Sequence, residues 1–461
     1  MRKIVRYGRD AVLLGTFLWG IFESVWGLLQ VLGCLASRHP LFALTGHFDN
    51  PGPFGGFLAM AMAVSGAYLV RNRRDRKGLY GTFLYAAAAV SFCCCLLVFP
   101  ASMSRAGWLA LGAAMLWILL SDKAVVSWCR SHRVPCLLAV IVITALCAGV
   151  FFLKKDSALG RLHLWRMECL AICREPLTGT GPNTFAGTYG KVQEAFFRAH
   201  IRDASPWTVR VAGCPEYAFN AYLGIGVEYG APAMAVFAGA LLWGLVRLSR
   251  RRSLFTAGLI AWAVFAFFSY PLSVPRINVL LFAFLIAGLL EGEWPGLLLL
   301  VLVAVLVALH RPSGFREKYA RGYSLYQTGD YEESLRLLEA GAAESSDPMF
   351  HVIMGRCREA SGDYEGAGKE YETAHYMVPC RLYPLVRLMH LKIKAGDPET
   401  AKRLGAEIVR MPVNGRLPSM KSLYDEARQV LDSLNTCSAS MDDVSDDGAA
   451  LESGGDLSGG N

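Results

Sequence analysis

Charge is what this sequence has least of. Asp, Glu, Lys and Arg make up 18% of its 461 residues, against about a quarter in an ordinary soluble domain. The deficit falls on residues 1–310, where apolar runs recur with short charged gaps between them, so the class is an integral membrane protein with a soluble part attached. A disulfide framework is missing too. The 13 cysteines are odd in number and scattered, with Cys93, Cys94 and Cys95 inside one apolar run, and cysteines in membrane helices usually act as small packing residues. Cys169 and Cys173 lie one helical turn apart, but no His or further Cys at ligand spacing accompanies them, which argues against a metal or redox pair. No complete Walker phosphate loop occurs. The net charge of +8 is no nucleic-acid signal, because the basic residues lie mostly between apolar runs, where they set orientation.

The basic start Met1–Asp10 and the run Ala11–Leu35 resemble a signal peptide at first glance. The run is too long and lacks a small-residue cleavage site, which predicts a retained signal anchor. Further spans are predicted at Phe54–Val70, Leu79–Pro100, Gly107–Leu120, Pro135–Leu153, Phe219–Val246, Leu254–Tyr270, Val279–Leu290 and Leu297–Leu309, giving about nine in all. Arg71, Arg73, Arg74, Arg76 and Lys77 occupy one connection, Lys123, Arg130 and Arg133 another, and Arg247, Arg250, Arg251 and Arg252 a third. The positive-inside rule puts these in the cytoplasm with the N-terminus. The turns Phe48–Gly56, Ser102–Ala106 and Pro271–Asn278, the long loop Lys154–Tyr217 and the C-terminal region then face outward.

From Phe315 the pattern changes to polar helix. Gly329-Asp330, Gly362-Asp363 and Gly396-Asp397 recur at intervals of 33 and 34 residues, each between two helical patterns. That period is similar to the tetratricopeptide repeat, a stacking helix-turn-helix unit with a concave binding surface. The domain plan is a membrane part over 1–310, repeats over 314–435, and a disordered Ser, Gly and Asp-rich tail over 436–461. The fold class is all-α.

Chemistry is expected between Gly160 and Gly230, the one long water-compatible interval in the apolar part. Arg105 closes the Ser102–Arg105 turn, Arg161 opens the long loop and Arg166 follows it. A guanidinium grips phosphate oxygens with parallel hydrogen bonds and stays charged, which suits stabilising a pyrophosphate leaving group. Arginines near span ends also snorkel to lipid headgroups. The turn Pro176–Phe185, PLTGTGPNTF, offers backbone N–H groups to an anion, though such Gly/Pro/Asn clusters are also ordinary turns.

In order along the chain, FDNPGPFGGFLA (Phe48–Ala59), the Ser104-Arg105 turn, Arg161 with Trp165 and PLTGTGPNTF, and FNAYLGIGVEYGAPA (Phe219–Ala233) resemble the O-antigen ligase/polymerase family of membrane glycosyltransferases. The resemblance covers about Gly20–Leu290 and implies a GT-C-like enzyme that uses no cofactor and no metal. Such an enzyme moves a glycan from an undecaprenyl-pyrophosphate carrier to an acceptor hydroxyl on lipid A core, another glycan or a protein. By the same resemblance Arg105 and Arg161 hold the pyrophosphate with Arg166 in support. Asn50, Ser104, Trp165, Asn183 and Asn220 become the expected substrate contacts, the location the periplasmic face of a bacterial inner membrane, and the repeats a platform for a protein partner.

Two departures qualify this expectation. Phe219 stands where many members carry a histidine as acceptor-activating base, and phenylalanine takes no proton. His163, His200 and Glu228 are the candidates nearby, although a lone loop histidine is more often solvated and Glu228 could pair with an arginine. One span precedes the Phe48 motif where members usually carry several, as in a fragment, a trimmed subfamily or a start assigned too late. A ligase, a polymerase and a non-catalytic scaffold recruiting envelope partners all fit these features.

Overall fold

The computed structural model describes residues 2–73, 78–135, 137–138, 155–291, 295–309, 314–411 and 420–436, and their regular elements are helices. Two compact units form. One holds Met1–Phe185 and Tyr217–Pro312, the other Ala186–Glu216 and Ser313–Asn461.

The first unit contains α1 (Arg2–Val31), α2 (Pro51–Arg71), α3 (Gly78–Val98), α4 (Arg105–Ser121), α5 (Lys123–Ser131) and α6 (Lys155–Arg174). After α7 (Phe185–His200) and α8 (Pro206–Val211), which fold with the second unit, it resumes with α9 (Ala221–Arg250), α10 (Phe255–Phe268), α11 (Pro275–Leu290) and α12 (Pro295–Leu309). Helix α2 is apolar on every side and buried along most of its length against α3, α4 and α10, as a helix without a polar face must be.

Against about nine predicted spans, four helices among the described residues meet the length and composition of one. Val5–Val31, Pro51–Arg71, Gly78–Ser102 and Ala221–Arg250 are long and apolar enough to cross a membrane, and α4 with α5 adds a fifth if the pair, bent by 89°, counts as one span. Helices α10, α11 and α12, at 14, 16 and 15 residues, are shorter than the roughly 20 residues that a bilayer core of about 30 Å requires. The predicted span Pro135–Leu153 lies almost wholly outside the described residues, as does the tail beyond Thr436.

The interval Lys154–Tyr217, predicted as a loop, is largely helical. In α6 the positions Leu164, Met167, Glu168 and Ala171 are buried at helical spacing, a stripe that one carboxylate and the many polar neighbours conceal in the sequence.

The second unit contains α13 (Phe315–Thr328), α14 (Tyr331–Ala342), α15 (Met349–Ala360), α16 (Tyr364–Met377), α17 (Leu382–Lys394) and α18 (Pro398–Arg410), each packed on its neighbour in sequence. The recurring Gly-Asp pairs make its joints. Gly329, Gly362 and Gly396 turn the chain with φ of 87°, 85° and 75°, a left-handed helix end that glycine adopts without strain. Each following aspartate caps the next helix, accepting from the N–H of Glu333, Gly366 and Thr400. Helix α7 and the chain to Glu216 pack on these repeats. Gln193 donates to the Met377 and Gly213 carbonyls, Ser346 to the Pro215 carbonyl, and Arg381 to the Cys214 sulfur.

Candidate functional site

Several helix starts of the first unit gather at one end. Ser104, opening α4, donates its hydroxyl to the Gly52 carbonyl in the first turn of α2 at 3.1 Å. The ring of Phe265 near the end of α10 fills the space beside Gly56. Phe219, just before α9, meets Tyr270 edge to face at 5.3 Å, and Arg276 in the first turn of α11 lies 5.8 Å from the ring centre of Phe48. Helix N-termini carry unpaired N–H groups and partial positive charge, so this end favours anions.

Two arginines reinforce it. Arg105 donates to the Ser157 hydroxyl at 2.6 Å. Arg161, one turn after Ser157 on α6, lies 5.9 Å from the centre of the Phe219 ring. Burial, and secondarily the neighbouring Arg105, lowers the pKa of Arg161 from its ordinary value. Among the described residues neither arginine has a carboxylate within ion-pair distance. Two guanidiniums brought together from separate helices without a counter-ion are arranged to receive one.

The other expected site residues divide by role. Asn50, Ser104 and Asn220 are helix caps: Asn50 accepts from the Gly52 N–H at 2.8 Å, Ser104 from Gly107 at 3.2 Å, and Asn220 from Tyr222 and Leu223 at 3.0 and 3.1 Å. Trp165 packs edge to face on Phe267 at 5.3 Å. Arg166 is exposed and His163 buried; five and two residues from Arg161, they project roughly 140° and 200° around the helix from it. His200 belongs to the second unit, where its ring stacks on Phe196.

Glu228 and Asn183 fasten the PLTGTGPNTF turn. Helix α9 breaks at Gly230, with φ 85° and ψ 165°. The turn lies in the break: Thr180 and Gly181 donate to the Val227 and Glu228 carbonyls at 2.9 Å, and Ala231 to the Pro176 carbonyl at 2.8 Å. The Glu228 carboxylate faces the backbone N–H groups of Asn183, Thr184 and Phe185, and so caps the start of α7 rather than pairing with an arginine. Asn183, at φ 62°, donates its amide to the Leu309 carbonyl.

Residues 90–238 match the family described as O-antigen ligase. The chain carries an O-antigen ligase domain. The matched stretch of this domain contains the Arg105–Arg161 pair and the broken helix, while the Phe48 motif and Arg276 lie outside it. No curated protein matches the chain. The C-terminal region is similar to the Yersinia enterocolitica type III secretion chaperone SycD, solved in complex with a peptide of the translocator YopD, at 19% identity over 28% of this chain and 97% of that one. With a TM-score of 0.26, that likeness says nothing about the site.

Sequence reasoning missed five residues here. Arg276 lay in an outward turn and Tyr270 at a span end without a motif to mark them. Glu23 carried a signal that was readable, since an ionisable residue inside an apolar run points to a function by default, whereas His47, in the turn before Phe48, carried none. Glu168, buried in α6 with neither oxygen hydrogen-bonded among the described residues, was hidden in the supposed loop. Burial pushes its carboxyl well above the usual range. Among the described residues no three His, Cys, Asp or Glu side chains converge as metal ligands do.

Proposed function

We propose that the protein is a glycan ligase. It transfers a saccharide from undecaprenyl pyrophosphate to an acceptor hydroxyl on lipid A core, another glycan or a protein at the periplasmic face of the inner membrane. The carrying observation is the approach of Arg105 and Arg161, on separate helices, with no carboxylate between them among the described residues. Bond cleavage leaves new negative charge on the pyrophosphate, and fixed guanidiniums stabilise that charge more strongly in a water-poor site than in bulk water. The helix starts of α2, α4 and α9 add to the same field. Arg161 resting on Phe219 gives that phenylalanine a role as a platform, with the guanidinium N–H groups left to the substrate.

The interval 186–216 and the repeats form one compact unit, so they occupy one side of the membrane. In this reading both are periplasmic, and the repeats receive a protein partner of the envelope.

Alanine at Arg105 or at Arg161 is expected to leave membrane insertion intact and abolish glycan transfer, read as surface glycan in a complemented deletion strain. Normal surface glycan in both variants would sink the reading. Glycan length in the deletion strain separates the related activity: full-length chains stranded on carrier lipid mark a ligase, shortened chains a polymerase. Transfer unaffected by loss of the membrane unit would mark a scaffold acting through its repeats.

A further inference from the structure

Glycosyl transfer to a hydroxyl releases a proton as the new bond forms, and a positioned side chain must take it for the reaction to be fast. Resting on the transferase reading above, we infer that His47 is that proton acceptor and that Glu23 is its positioning residue.

Glu23 lies in α1 and is buried to 1% relative exposure. Its Oε2 faces the His47 ring Nδ1 and accepts from the His47 backbone N–H, each at 3.2 Å, while Oε1 takes the Trp19 indole N–H at 3.4 Å. With the carboxylate accepting, Nδ1 carries the ring proton and Nε2 presents its lone pair. No hydrogen bond to Nε2 forms among the described residues, and the side chain stays 18% exposed. The ring rests on Phe22 at 5.1 Å and Trp26 at 4.2 Å, which hold its plane. This is the arrangement of a base with an orienting carboxylate behind it.

Holding the loop does not require this pair. Gln30 already pins the same stretch, accepting from the Thr45 and Gly46 N–H groups at 3.0 and 2.8 Å and donating to the Gly46 and Ala36 carbonyls. A carboxylate taken out of water costs several kcal/mol, and a loop fixed by four neutral hydrogen bonds gives no reason to add it.

The pair also adjoins the anion-binding end. Phe48, next in the chain, carries Arg276 over its ring and packs on Phe54 and Phe57 of α2. The first turn of that helix holds Ser104, beside Arg105. One helix start therefore supports both. In the proposed step the acceptor O–H proton moves to His47 Nε2 and the acceptor oxygen bonds the anomeric carbon. The bond from that carbon to the pyrophosphate oxygen breaks, and its electron pair leaves on polyprenyl pyrophosphate against Arg105 and Arg161.

The test uses full-length protein supplied to membranes of a deletion strain, which hold endogenous lipid-linked donor and acceptor. His47→Gln is expected to insert and melt as wild type while transfer falls about 10²–10⁴-fold. His47→Ala regains part of its rate with added imidazole, and Glu23→Gln loses rate while Glu23→Asp recovers some of it. Wild-type transfer by His47→Gln, with Arg105→Ala and Arg161→Ala inactive, overturns this assignment and leaves the transferase reading standing. Wild-type transfer by the two arginine variants removes both. If His47→Gln fails to insert, the alanine variant decides: loss of transfer without imidazole recovery marks a structural histidine and overturns the assignment.

Discussion

The repeats and the anion-binding end of the membrane unit treat their arginines in opposite ways. In the repeats Arg358 reaches Glu339, Asp363 and Glu370, Arg381 reaches Asp347, and Glu359 holds both Arg387 and Lys394. At the anion-binding end of the membrane unit Arg105 has a serine, while Arg161 and Arg276 have the faces of phenylalanines. A half-buried cation paired with a carboxylate is stabilised where it lies, but it has little left to offer a ligand. Cations set on aromatic rings keep their N–H groups available. The contrast separates charge used to hold a fold from charge held ready for a substrate.

Arg161→Glu erases the contrast most directly. It makes an ion pair with Arg105, as in the repeats, and should remove transfer by at least about 10²–10³-fold while leaving thermal stability equal or higher. Gly230→Ala attacks the support of the site instead. A backbone at φ 85° and ψ 165° is essentially reserved for glycine, and the added carbon runs into the Leu177 carbonyl. A loss of about 1–3 kcal/mol is expected, read as a lower melting temperature in detergent.

The smaller effects are of opposite sign in the two units. His375 in α16 is buried, its Nδ1 has no hydrogen bond among the described residues, and desolvation lowers its pKa from 6.5 to about 4. The unfolded chain then binds more protons, so stability falls as pH drops from 6.5 toward about 4. Hydrogen exchange in α16 of the full-length protein should quicken over that window. Glu168 in α6 is the converse case. Its raised pKa means the folded chain binds more protons, so stability falls as pH rises above the ordinary 4.5. Glu168→Gln should slow exchange in α6 at pH 7 and flatten its pH dependence; unchanged exchange would mean that the carboxyl is hydrated.

Local pattern carried the features that local chemistry determines. The Gly-Asp joints were legible because one glycine and one aspartate suffice to end a helix and begin another. Arg105, Arg161 and Arg166 stood out together as outward arginines near predicted spans, and only the family resemblance singled out the first two as a pair. What escaped depends on distant partners. Nothing near Asn50, Ser104 or Asn220 distinguishes a cap from a ligand-binding amide or hydroxyl. The break in α9 at Gly230 falls inside the predicted span Phe219–Val246, and its filling by a turn some fifty residues earlier is a tertiary fact. His47 and Glu23 are 24 residues apart and join only when the chain after α1 folds back. Helices α10 to α12 are apolar enough to look like spans, and their described lengths fall short of the roughly 20 residues of a full span.

The division of the chain has a practical corollary for any attempt to shorten or graft this protein. The polypeptide passes between the units three times, at Phe185/Ala186, Glu216/Tyr217 and Pro312/Ser313. A truncation at Pro312 would therefore not yield a self-contained membrane part. It would strip Gln193, Cys214 and Pro215 of the partners they have in Met377, Arg381 and Ser346, exposing a surface shaped for contact. The repeats thus behave as the second half of a clasp whose first half is inserted in the sequence of the membrane part, and the two halves must be expressed and exchanged together.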